Sequence, residues 1–423
     1  MRIWKLVEYF FLPELRRYGK FTHIKEQDFI LPETKRIGLY LHIPFCLSLC
    51  PYCPYDRILF EKTLSERYTN AVIKEIKLIK DKVGRVEITS LYIGGGTPTT
   101  IGKNLERIIT KIKDEFLLKE NTIFIETNPN DITEEKVAML KDLGTGMVSI
   151  GVQSFQDKFL RAIGRNYDAK TATNAIEIVK KYINNINIDL MFALPEQSEK
   201  DFEYDLKKAI KAEVQQITGY PLFTFPYSQV GKFLKINSVK LPSFNSRKRM
   251  FYLMYNMLTK NGFVPASVWG FKKPDGAEFS SVSRMYYIGI GASAATKVPG
   301  KFYMNTFSIP HYIKRINSGQ CAEVVKMDFT RRMDDYYWLY WKIYETRFQK
   351  SEFEKRFHSD RKARLLIKIL ETGNFIKIKG AHYTLTRKGM FYVHLLQNRI
   401  ALNHIGKAWG KMMQNPEPHE IQL

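Results

Sequence analysis

Three cysteines stand within eight residues, at Cys46, Cys50 and Cys53, and they are three of only four cysteines in a chain of 423 residues. Thiolates separated by three and then two residues can bind one iron–sulfur cluster from a single loop, because a short turn brings the sulfurs to one side. Three thiolates leave one iron of a [4Fe–4S] cluster without a protein ligand, and an open iron can bind a small molecule. The spacing therefore favours a catalytic cluster, whereas four cysteines would suit simple electron transfer.

Two simpler interpretations of the same cysteines are a zinc loop and a disulfide pair with a spare thiol. Zinc normally takes a fourth Cys or His ligand close by, and the nearest candidate, His42, precedes the loop in an apolar run with the pattern of a strand. Scarce cysteines and the lack of a signal-peptide pattern predict a cytoplasmic protein with reduced thiols. No apolar run in the sequence is long enough to span a bilayer.

The formal net charge of +23 is unevenly distributed along the chain. Residues 37–220 are neutral, while residues 221–320 carry +12 and residues 321–423 carry +8. A positive field attracts anionic partners, so we expect an anionic small molecule or a substrate bound to a carrier protein. General solubility on a lysine-rich background is the alternative explanation of the charge.

A regular alternation of short apolar runs and longer amphipathic runs begins at Ile37 and continues to Leu222. Strands and helices in this alternation indicate a parallel α/β sheet with right-handed crossovers, either doubly wound or curved into a full or partial barrel. The predicted strands span residues 38–43, 88–93, 122–126, 147–152, 186–191 and 215–222. The predicted helices span residues 64–80, 105–116, 133–143, 169–182, 199–212 and 247–260.

The chain length predicts one large domain with smaller additions. Residues 1–36 are predicted to form an extension with an amphipathic helix that ends at Pro13; we expect it to pack on the protein, with a membrane-surface helix as the alternative. Residues 37–320 are predicted to form the sheet domain and a substrate-side extension. Residues 321–423 are predicted to form a smaller lid domain of winged-helix-like α+β order, with a hairpin across Gly380 and a disordered tail after Met413.

Glycines and polar residues follow several predicted strands, at the end of the sheet where parallel α/β proteins bind ligands. Gly94, Gly95 and Gly96 remove every side chain from one strand end, so a ligand can lie against backbone groups. Glu126, Gln153 and Asp189 lie at or near the ends of later strands, and Arg165 follows the Gln153 strand. Each feature alone suits a turn, a helix cap or a surface pair, but together they predict a site at one end of the sheet.

Taken in order, these motifs resemble the radical S-adenosylmethionine (SAM) superfamily. They are Cys46-x3-Cys50-x2-Cys53, Gly94-Gly-Gly-Thr-Pro98, Glu126-Thr-Asn-Pro129, Ser149-Ile-Gly-Val-Gln-Ser-Phe155, Gly164-Arg165 and Asp189-Leu-Met-Phe-Ala-Leu-Pro195. Within the superfamily, the chain is similar to the oxygen-independent coproporphyrinogen III oxidase branch, which includes heme chaperones and class C methyltransferases and cyclopropanases. The resemblance runs from Tyr40 to about Leu222 and resumes at residues 286–292.

The resemblance implies a partial (β/α)6 barrel and a set of cofactor ligands. It implies that Cys46, Cys50 and Cys53 bind a [4Fe–4S] cluster whose open iron is chelated by SAM. By similarity, the first SAM would be held by Tyr40, Gly94, Gly95, Gly96 and Glu126. Members of the branch bind a second SAM, and the matching positions are Tyr52, Thr97, Gln153, Arg165 and Asp189.

Three departures from the branch bear on the reaction. Tyr55 stands where the porphyrinogen oxidases have a further cysteine, and residues 278–287 lack the His-Asn-x-x-Tyr-Trp segment of the heme chaperones. No histidine follows Gly164-Arg165. These departures favour a class C-like enzyme, in which one SAM yields the 5′-deoxyadenosyl radical and the other donates a methyl or methylene unit. The alternatives are oxidative decarboxylation of coproporphyrinogen III and a heme chaperone.

The predicted partners follow from the same resemblance. We expect a monomer that takes electrons from a low-potential donor such as flavodoxin or ferredoxin. Nucleic-acid binding by the C-terminal domain is disfavoured, and peripheral membrane contact stays an alternative. Cys321 is expected to be a small buried residue. Position alone suggests Tyr220, Phe225, Tyr227, Trp269 and Arg284 as pocket residues.

Overall fold

The computed structural model describes residues 19–25, 29–32, 34–225, 227–228, 241–276 and 285–423. The predicted N-terminal helix and Arg284 lie outside the described residues. Within them, the chain is a mixed α/β protein built on a parallel sheet, as the alternating pattern predicts. No helix in this part of the chain has the length and apolar composition that a bilayer crossing needs.

Six parallel strands, neighbours in chain order, form the wall of the sheet domain. The first ten strands are β1 (Lys20–His23), β2 (Arg36–Ile43), β3 (Phe45–Cys46), β4 (Ile58–Leu59), β5 (Glu87–Gly95), β6 (Leu117–Leu118), β7 (Ile123–Thr127), β8 (Thr145–Gln153), β9 (Ile186–Phe192) and β10 (Gln216–Pro221). The wall runs β2-β5-β7-β8-β9-β10, and every neighbouring pair in it is parallel. This arrangement carries all the carboxyl ends of the strands to one edge.

Helices connect these strands and cover the sheet, as parallel pairing requires. They are α1 (Lys62–Val83), α2 (Lys103–Glu115), α3 (Glu134–Asp142), α4 (Asp157–Ala162), α5 (Ala169–Lys180) and α6 (Glu199–Lys211). α2 buries Leu105, Ile108 and Ile112, whose spacing places them on one helical face. Ser198 immediately precedes α6 and caps it, forming a capping box with Asp201.

Further strands extend both edges of the parallel wall. They are β11 (Val264–Pro265), β12 (Gly270–Lys272), β13 (Tyr287–Ile290), β14 (Ala295–Val298), β15 (Lys301–Asn305) and β16 (Glu323–Asp328), accompanied by α7 (Phe244–Lys260) and α8 (Ile309–Asn317). β12 pairs antiparallel with β10 at one edge, and β13 pairs parallel with β2 at the other. β16 still belongs to this large sheet, where it lies between β15 and β1.

The remaining segment builds a small α+β unit. Its elements are α9 (Arg331–Tyr344), β17 (Arg347–Gln349), α10 (Lys350–Phe357), α11 (Arg361–Thr372), β18 (Ile376–Lys379), β19 (His382–Leu385) and α12 (Arg387–Ile400). The predicted hairpin is present, with Gly380 at a positive φ of 56° in its turn. A π-helical turn, Ala401–Ile405, joins α12 to α13 (Gly406–Gln414).

The prediction of a disordered tail after Met413 is wrong. The last strand, β20 (Glu420–Gln422), pairs antiparallel with β1, and Ile421 lies opposite Phe21, where both side chains are buried in one apolar cluster with Val325. A three-residue strand has no periodicity of its own for the sequence to reveal. Its order depends on the backbone partner that β1 supplies from the other end of the chain.

α12 and α13 lie across the carboxyl ends of the barrel strands. The ring of His394 on α12 stacks against Phe192 at the end of β9, with 5.8 Å between ring centroids. Trp409 on α13 contacts Tyr55 after the cysteine loop, with 5.7 Å between centroids. The two helices therefore cover the edge of the sheet at which the predicted site lies.

His394 is a buried histidine whose neighbours favour the neutral ring. Neither of its ring nitrogens has a hydrogen-bond partner, and its ring centroid lies 4.1 Å from that of Trp269 and 5.6 Å from that of Phe251. Burial, and then the charge of Arg247, lower the pKa of His394 well below its usual value. In the unfolded chain, a histidine binds its proton near pH 6.5. Because folding keeps His394 neutral at lower pH, the free energy of unfolding is at its full value above pH 6.5 and decreases as the pH falls below it.

Replacing His394 with Leu should remove this pH dependence. Between pH 7 and pH 5, we expect the wild type to lose about 2 kcal/mol more free energy of unfolding than the His394→Leu variant loses. Denaturant titration at the two pH values measures the difference. The control is His358→Leu at an exposed position, which should behave as the wild type does. Equal losses in the wild type and His394→Leu would contradict the assignment.

Candidate active site

The three cysteines lie in the loop that leaves β2 at the carboxyl end of the sheet. Cys46 and Cys50 are buried, Cys53 is partly buried, and all three are free thiols. A tight turn, in which the Cys53 N–H donates to the Cys50 carbonyl at 3.2 Å, brings the last two cysteines together. The Arg57 guanidinium donates to the carbonyls of Cys50 and Tyr55. These hydrogen bonds hold the loop together and place a positive charge beside its thiols.

The chemistry of these thiols suits a metal cluster. Burial raises the pKa of Cys46 and raises the pKa of Cys53 to about 11, while nearby Arg57 acts in the opposite direction on both. Metal binding requires thiolates, so a bound centre would displace these protons. Within the described part of the chain, no three His, Cys, Asp or Glu side chains converge to hold a single metal ion. Three free thiols on one loop are the ligand type of an iron–sulfur cluster.

The glycine loop at the end of β5 is pressed against the cysteine loop. The Gly96 N–H donates to the Ile43 carbonyl and the Thr97 N–H donates to the Phe45 carbonyl, both at 2.8 Å. A Cβ at Gly96 would lie 2.6 Å from the Phe45 oxygen and 3.0 Å from Cys46 Sγ. The Thr97 hydroxyl lies 3.7 Å from the same sulfur. Only glycine permits this approach, which puts backbone and one hydroxyl directly beside Cys46.

Tyr40 is on β2, and His42 fixes the direction of its hydroxyl proton. His42 Nε2 lies 3.1 Å from the carbonyl oxygen of Asp56, which can only accept, so Nε2 carries the ring hydrogen. Nδ1 is then an acceptor, and the Tyr40 hydroxyl donates a hydrogen bond to it at 2.9 Å. Burial lowers the pKa of His42 to about 4, which keeps the ring neutral. The Tyr40 oxygen therefore has its lone pairs available as hydrogen-bond acceptors.

Glu126 ends β7 and is held by groups from β5. The Tyr92 hydroxyl donates to Oε1, and the Gly95 N–H donates to Oε2 at 3.4 Å. A Cβ at Gly94 would lie 2.8 Å from Oε2, so the strand reaches the carboxylate only because position 94 lacks a side chain. Burial raises the pKa of Glu126 above its usual value.

Asp189 on β9 is a second carboxylate in the same region. Asn187 Nδ2 donates to Oδ1 at 2.8 Å, and Ser149 Oγ donates to Oδ2 at 3.3 Å. Burial, and then the charge of Glu126, raise the pKa of Asp189 to about 7. Two carboxylates in one poorly solvated space favour a cationic ligand, because a nearby positive charge stabilises their ionised forms.

Arg165 and Tyr52 form a polar group beside the cysteine loop. The Arg165 guanidinium lies 5.6 Å from the ring centroid of Tyr52 and 5.5 Å from that of Tyr167. Arg165 Nε and the Tyr52 hydroxyl are buried without a hydrogen-bond partner in the described chain. Buried polar groups are almost always paired, so a ligand with polar atoms at this position would satisfy both groups.

Gln153 ends β8 with a positive φ of 67°, which is unusual for a residue with a side chain. Its Oε1 accepts a hydrogen bond from the Tyr220 hydroxyl at 2.8 Å. This pair links β8 to β10 across the space that contains Asp189 on the intervening strand.

Tyr55 lies close to the two carboxylates. Burial, and then the charge of Glu126, raise its pKa, and Asp189 acts in the same direction. Its side chain is nevertheless 40% exposed. Tyr55 therefore lies at the rim of the region that contains the two carboxylates, with Trp409 of α13 packed beside it.

Aromatic side chains border this space after β10. Phe223 lies 5.9 Å from Phe225, and Phe225 lies 5.5 Å from Tyr227, measured between ring centroids. Trp269 lies 5.9 Å from Phe223, and the Tyr227 hydroxyl donates to the carbonyl of Pro54 at 3.2 Å. Phe225, Tyr227 and Trp269, together with Tyr220, are four of the five pocket residues that position suggested.

The structure thus brings the predicted residues to the carboxyl ends of β2, β5, β7, β8 and β9 and to the adjoining loops. Sequence reasoning missed the residues that orient them: Tyr92, Ser149, Asn187 and, in its orienting role, His42. A period-two signal could have found two of these. Asn187 precedes Asp189 by two residues and His42 follows Tyr40 by two, so each shares a strand face with its partner.

Comparisons with known proteins agree on the family and the fold. The family model described as the radical SAM superfamily matches residues 40–209. A heme chaperone HemW from Lactococcus lactis is 29% identical over 280 residues, which cover 64% of this chain and 72% of the relative. An oxygen-independent coproporphyrinogen III oxidase from Cereibacter sphaeroides is 28% identical over 299 residues, covering 66% of each chain.

A solved structure gives the same architecture. The coproporphyrinogen III oxidase HemN from Escherichia coli aligns with a TM-score of 0.76 at 21% sequence identity, covering 89% of this chain and 94% of that one. At this level of identity the likeness concerns the fold alone, which is a partial barrel followed by a C-terminal unit.

Proposed function

We propose that this chain, which belongs to the radical SAM superfamily and to its oxygen-independent coproporphyrinogen III oxidase-like branch, is an enzyme that acts on a tetrapyrrole. Membership of the superfamily implies a [4Fe–4S] cluster and SAM as cofactors. The proposal rests mainly on one observation: buried polar groups suited to SAM meet at the carboxyl ends of the parallel strands, next to the three cysteines and a row of aromatic side chains.

Cys46, Cys50 and Cys53 are the proposed cluster ligands. When bound, the cluster supplies the electron that splits SAM into methionine and a 5′-deoxyadenosyl radical. The chain's part in this chemistry is to hold SAM in one orientation and to keep water away from the radical. The loop contacts at Gly96 and Thr97 support such a role, because they leave no room for a side chain beside Cys46.

The first SAM would be held by groups whose hydrogen-bond roles are fixed. The Tyr40 oxygen, made an acceptor by His42, suits the N–H groups of the SAM amine. Glu126 suits the amine or the ribose hydroxyls, and Tyr92 orients one of its oxygens. The backbone of Gly94, Gly95 and Gly96 would line the remaining side.

A second SAM would lie beside the first, against Tyr52, Thr97, Gln153, Arg165 and Asp189. Arg165 suits a carboxylate, because its guanidinium can donate two parallel hydrogen bonds. Asp189 suits an amine, and a cationic neighbour would favour its ionised form. The partnerless Nε of Arg165 and hydroxyl of Tyr52 support a ligand at this position.

A tetrapyrrole substrate is preferred to methyl or methylene transfer for two reasons. The relatives reported above are named as heme chaperones and coproporphyrinogen III oxidases, and none of them is named for transfer of a one-carbon unit. The aromatic row from Phe223 to Tyr227 suits a large ring system, and the charge of +12 over residues 221–320 suits its carboxylates. We therefore favour oxidative decarboxylation of a porphyrinogen.

A heme chaperone is the second candidate, because one of the similar curated proteins reported above carries that name. Such a protein would bind heme without consuming SAM. The residues that match SAM ligands favour turnover over storage, since storage of heme alone would not need them.

Anaerobic incubation with SAM, dithionite and coproporphyrinogen III tests the reaction. We expect the reconstituted protein to form 5′-deoxyadenosine and methionine and to convert the substrate into a product with an altered pigment spectrum after oxidation. Cys50→Ala should lose the broad visible absorbance of the cluster and the formation of 5′-deoxyadenosine. The control is Cys321→Ala, a buried cysteine outside the loop, which should retain both.

Two results would contradict the proposal. Absence of 5′-deoxyadenosine from a protein with an intact, reduced cluster would exclude SAM cleavage. A stoichiometric hemin complex, seen as a Soret band, together with an unchanged porphyrinogen would favour the chaperone.

Arg165 provides a separate test of the second SAM. Equilibrium dialysis should find two SAM per wild-type chain and one per Arg165→Met chain, because the variant lacks the proposed carboxylate ligand. Arg161→Met, an exposed arginine one turn earlier in the chain, is the matched control and should still bind two. A wild-type stoichiometry of one would show that the second site does not exist.

A further inference from the structure

A second glycine loop lies at the carboxyl edge of the sheet, and the proposed function gives it no role. It spans residues 291–293, directly after β13, and is here called the β13 loop. β13 pairs in parallel with β2, so both strands end at the same edge. Gly291 has a positive φ of 96°, and a Cβ there would lie 2.7 Å from the His42 carbonyl oxygen. The β13 loop therefore lies directly against the strand that carries Tyr40 and His42.

Three consecutive N–H groups fix the backbone of the β13 loop. The Gly291 N–H donates to Glu75 Oε2 at 2.8 Å, and the next N–H donates to the Tyr68 hydroxyl at 3.0 Å. The Ser293 N–H donates to the Thr306 carbonyl at 2.9 Å. Glu75 and Tyr68 are buried residues of α1. The loop is therefore held from the helix layer as well as from the sheet.

Ser293 occupies a backbone position that favours glycine, since its φ is 65°. A residue with a side chain stays in this region only where its surroundings fix it, and such residues are concentrated at functional sites. The Ser293 hydroxyl donates to Oδ2 of Asp56, which follows Cys53 by three residues. Burial raises the pKa of the Asp56 carboxyl, and the Ser293 hydroxyl and then Arg57 oppose that shift. Ser293 thus connects the β13 loop to the cysteine loop and stabilises a buried carboxylate there.

The main chain of Asp56 extends this contact to a proposed SAM ligand. Its carbonyl oxygen accepts from His42 Nε2 at 3.1 Å, and His42 Nδ1 accepts from the Tyr40 hydroxyl at 2.9 Å. If the Asp56 carbonyl moved away, Nδ1 could carry the ring hydrogen instead. The Tyr40 oxygen would then accept from His42 and would have one lone pair fewer for another donor. The position of Asp56 therefore decides what Tyr40 can offer to a ligand.

We propose that Ser293 is a positioning residue for the first SAM, because its hydroxyl holds Asp56 where the Asp56 carbonyl fixes the ring hydrogen of His42. Tyr40 then remains an acceptor for the SAM amine, a step that rests on the proposed function. The proposal explains why a serine stands where glycine would be free of strain. Glycine would preserve the turn and would lose the hydrogen bond to Asp56.

Replacing Ser293 with Gly separates this role from a structural one. Relief of strain offsets the greater freedom of glycine in the unfolded chain, so the melting temperature should stay within about 3 °C of the wild-type value. SAM binding at the cluster should nevertheless weaken at least about tenfold, as is typical for outer hydrogen-bond partners of a metal site. The measurement is the SAM concentration that half-converts the electron paramagnetic resonance spectrum of the reduced, cluster-loaded protein. Asn374→Gly, at an exposed position with a φ of 56° in the C-terminal unit, is the matched control and should bind SAM as the wild type does.

A double-variant cycle tests the route through Tyr40. Tyr40→Phe alone should weaken SAM binding, and adding Ser293→Gly should change the affinity by less than about twofold, because residues that act through one another are not additive. Wild-type affinity in Ser293→Gly would overturn the proposal. So would additive losses in the double variant, or a melting temperature of Ser293→Gly lowered by more than about 5 °C, which would assign the residue a structural role. A wild-type spectrum that saturating SAM leaves unchanged would instead overturn the proposed function.

Discussion

The backbone contact between the cysteine loop and the glycine loop is the constraint on which the rest of the site depends. The hydrogen bonds from Gly96 to Ile43 and from Thr97 to Phe45 hold Cys46 against the end of β5. Because β5 also supplies Gly94 and Gly95, the same contact sets the distance between the thiols and Glu126. A side chain at position 96 would push the two loops apart and separate the proposed cluster ligands from the proposed SAM ligands.

Parallel strands explain how so many polar groups reach one place. The strands of the wall bring polar residues to the same edge. Glu126, Asp189 and Tyr40 are oriented by a neighbour on their own or an adjacent strand, and Gln153 is held by Tyr220 from two strands away. The cost is that Glu126 and Asp189 lie in a poorly solvated space, where burial disfavours their ionised forms. A cationic ligand would offset this cost, and SAM carries a sulfonium and an amine. The same space is therefore poorly suited to an anionic ligand unless the negative group of that ligand pairs with the Arg165 guanidinium.

The sequence predicts the wall well, because buried strands and amphipathic helices leave clear periodicities. The strands around Gly94, Glu126 and Asp189 match their predicted bounds to within about two residues. The paired tail was missed because β20 is too short to show a pattern and depends on β1 from the other end of the chain. The orienting roles of Tyr92 and His42 were missed because a hydrogen-bond direction follows from three-dimensional neighbours such as the Asp56 carbonyl. The contact between Tyr55 and Trp409 was not visible in sequence, because the two residues meet only in the folded chain.

The central claim is that three thiolates hold a cluster whose remaining iron binds SAM. Electron–nuclear double resonance of the reduced protein, with SAM isotopically labelled in its amino and carboxylate groups, tests this claim most directly. The account predicts magnetic coupling of both labelled groups to the cluster, and loss of that coupling when SAM is omitted. A fully reduced cluster that shows no coupling to either group, in the presence of saturating SAM, would contradict it.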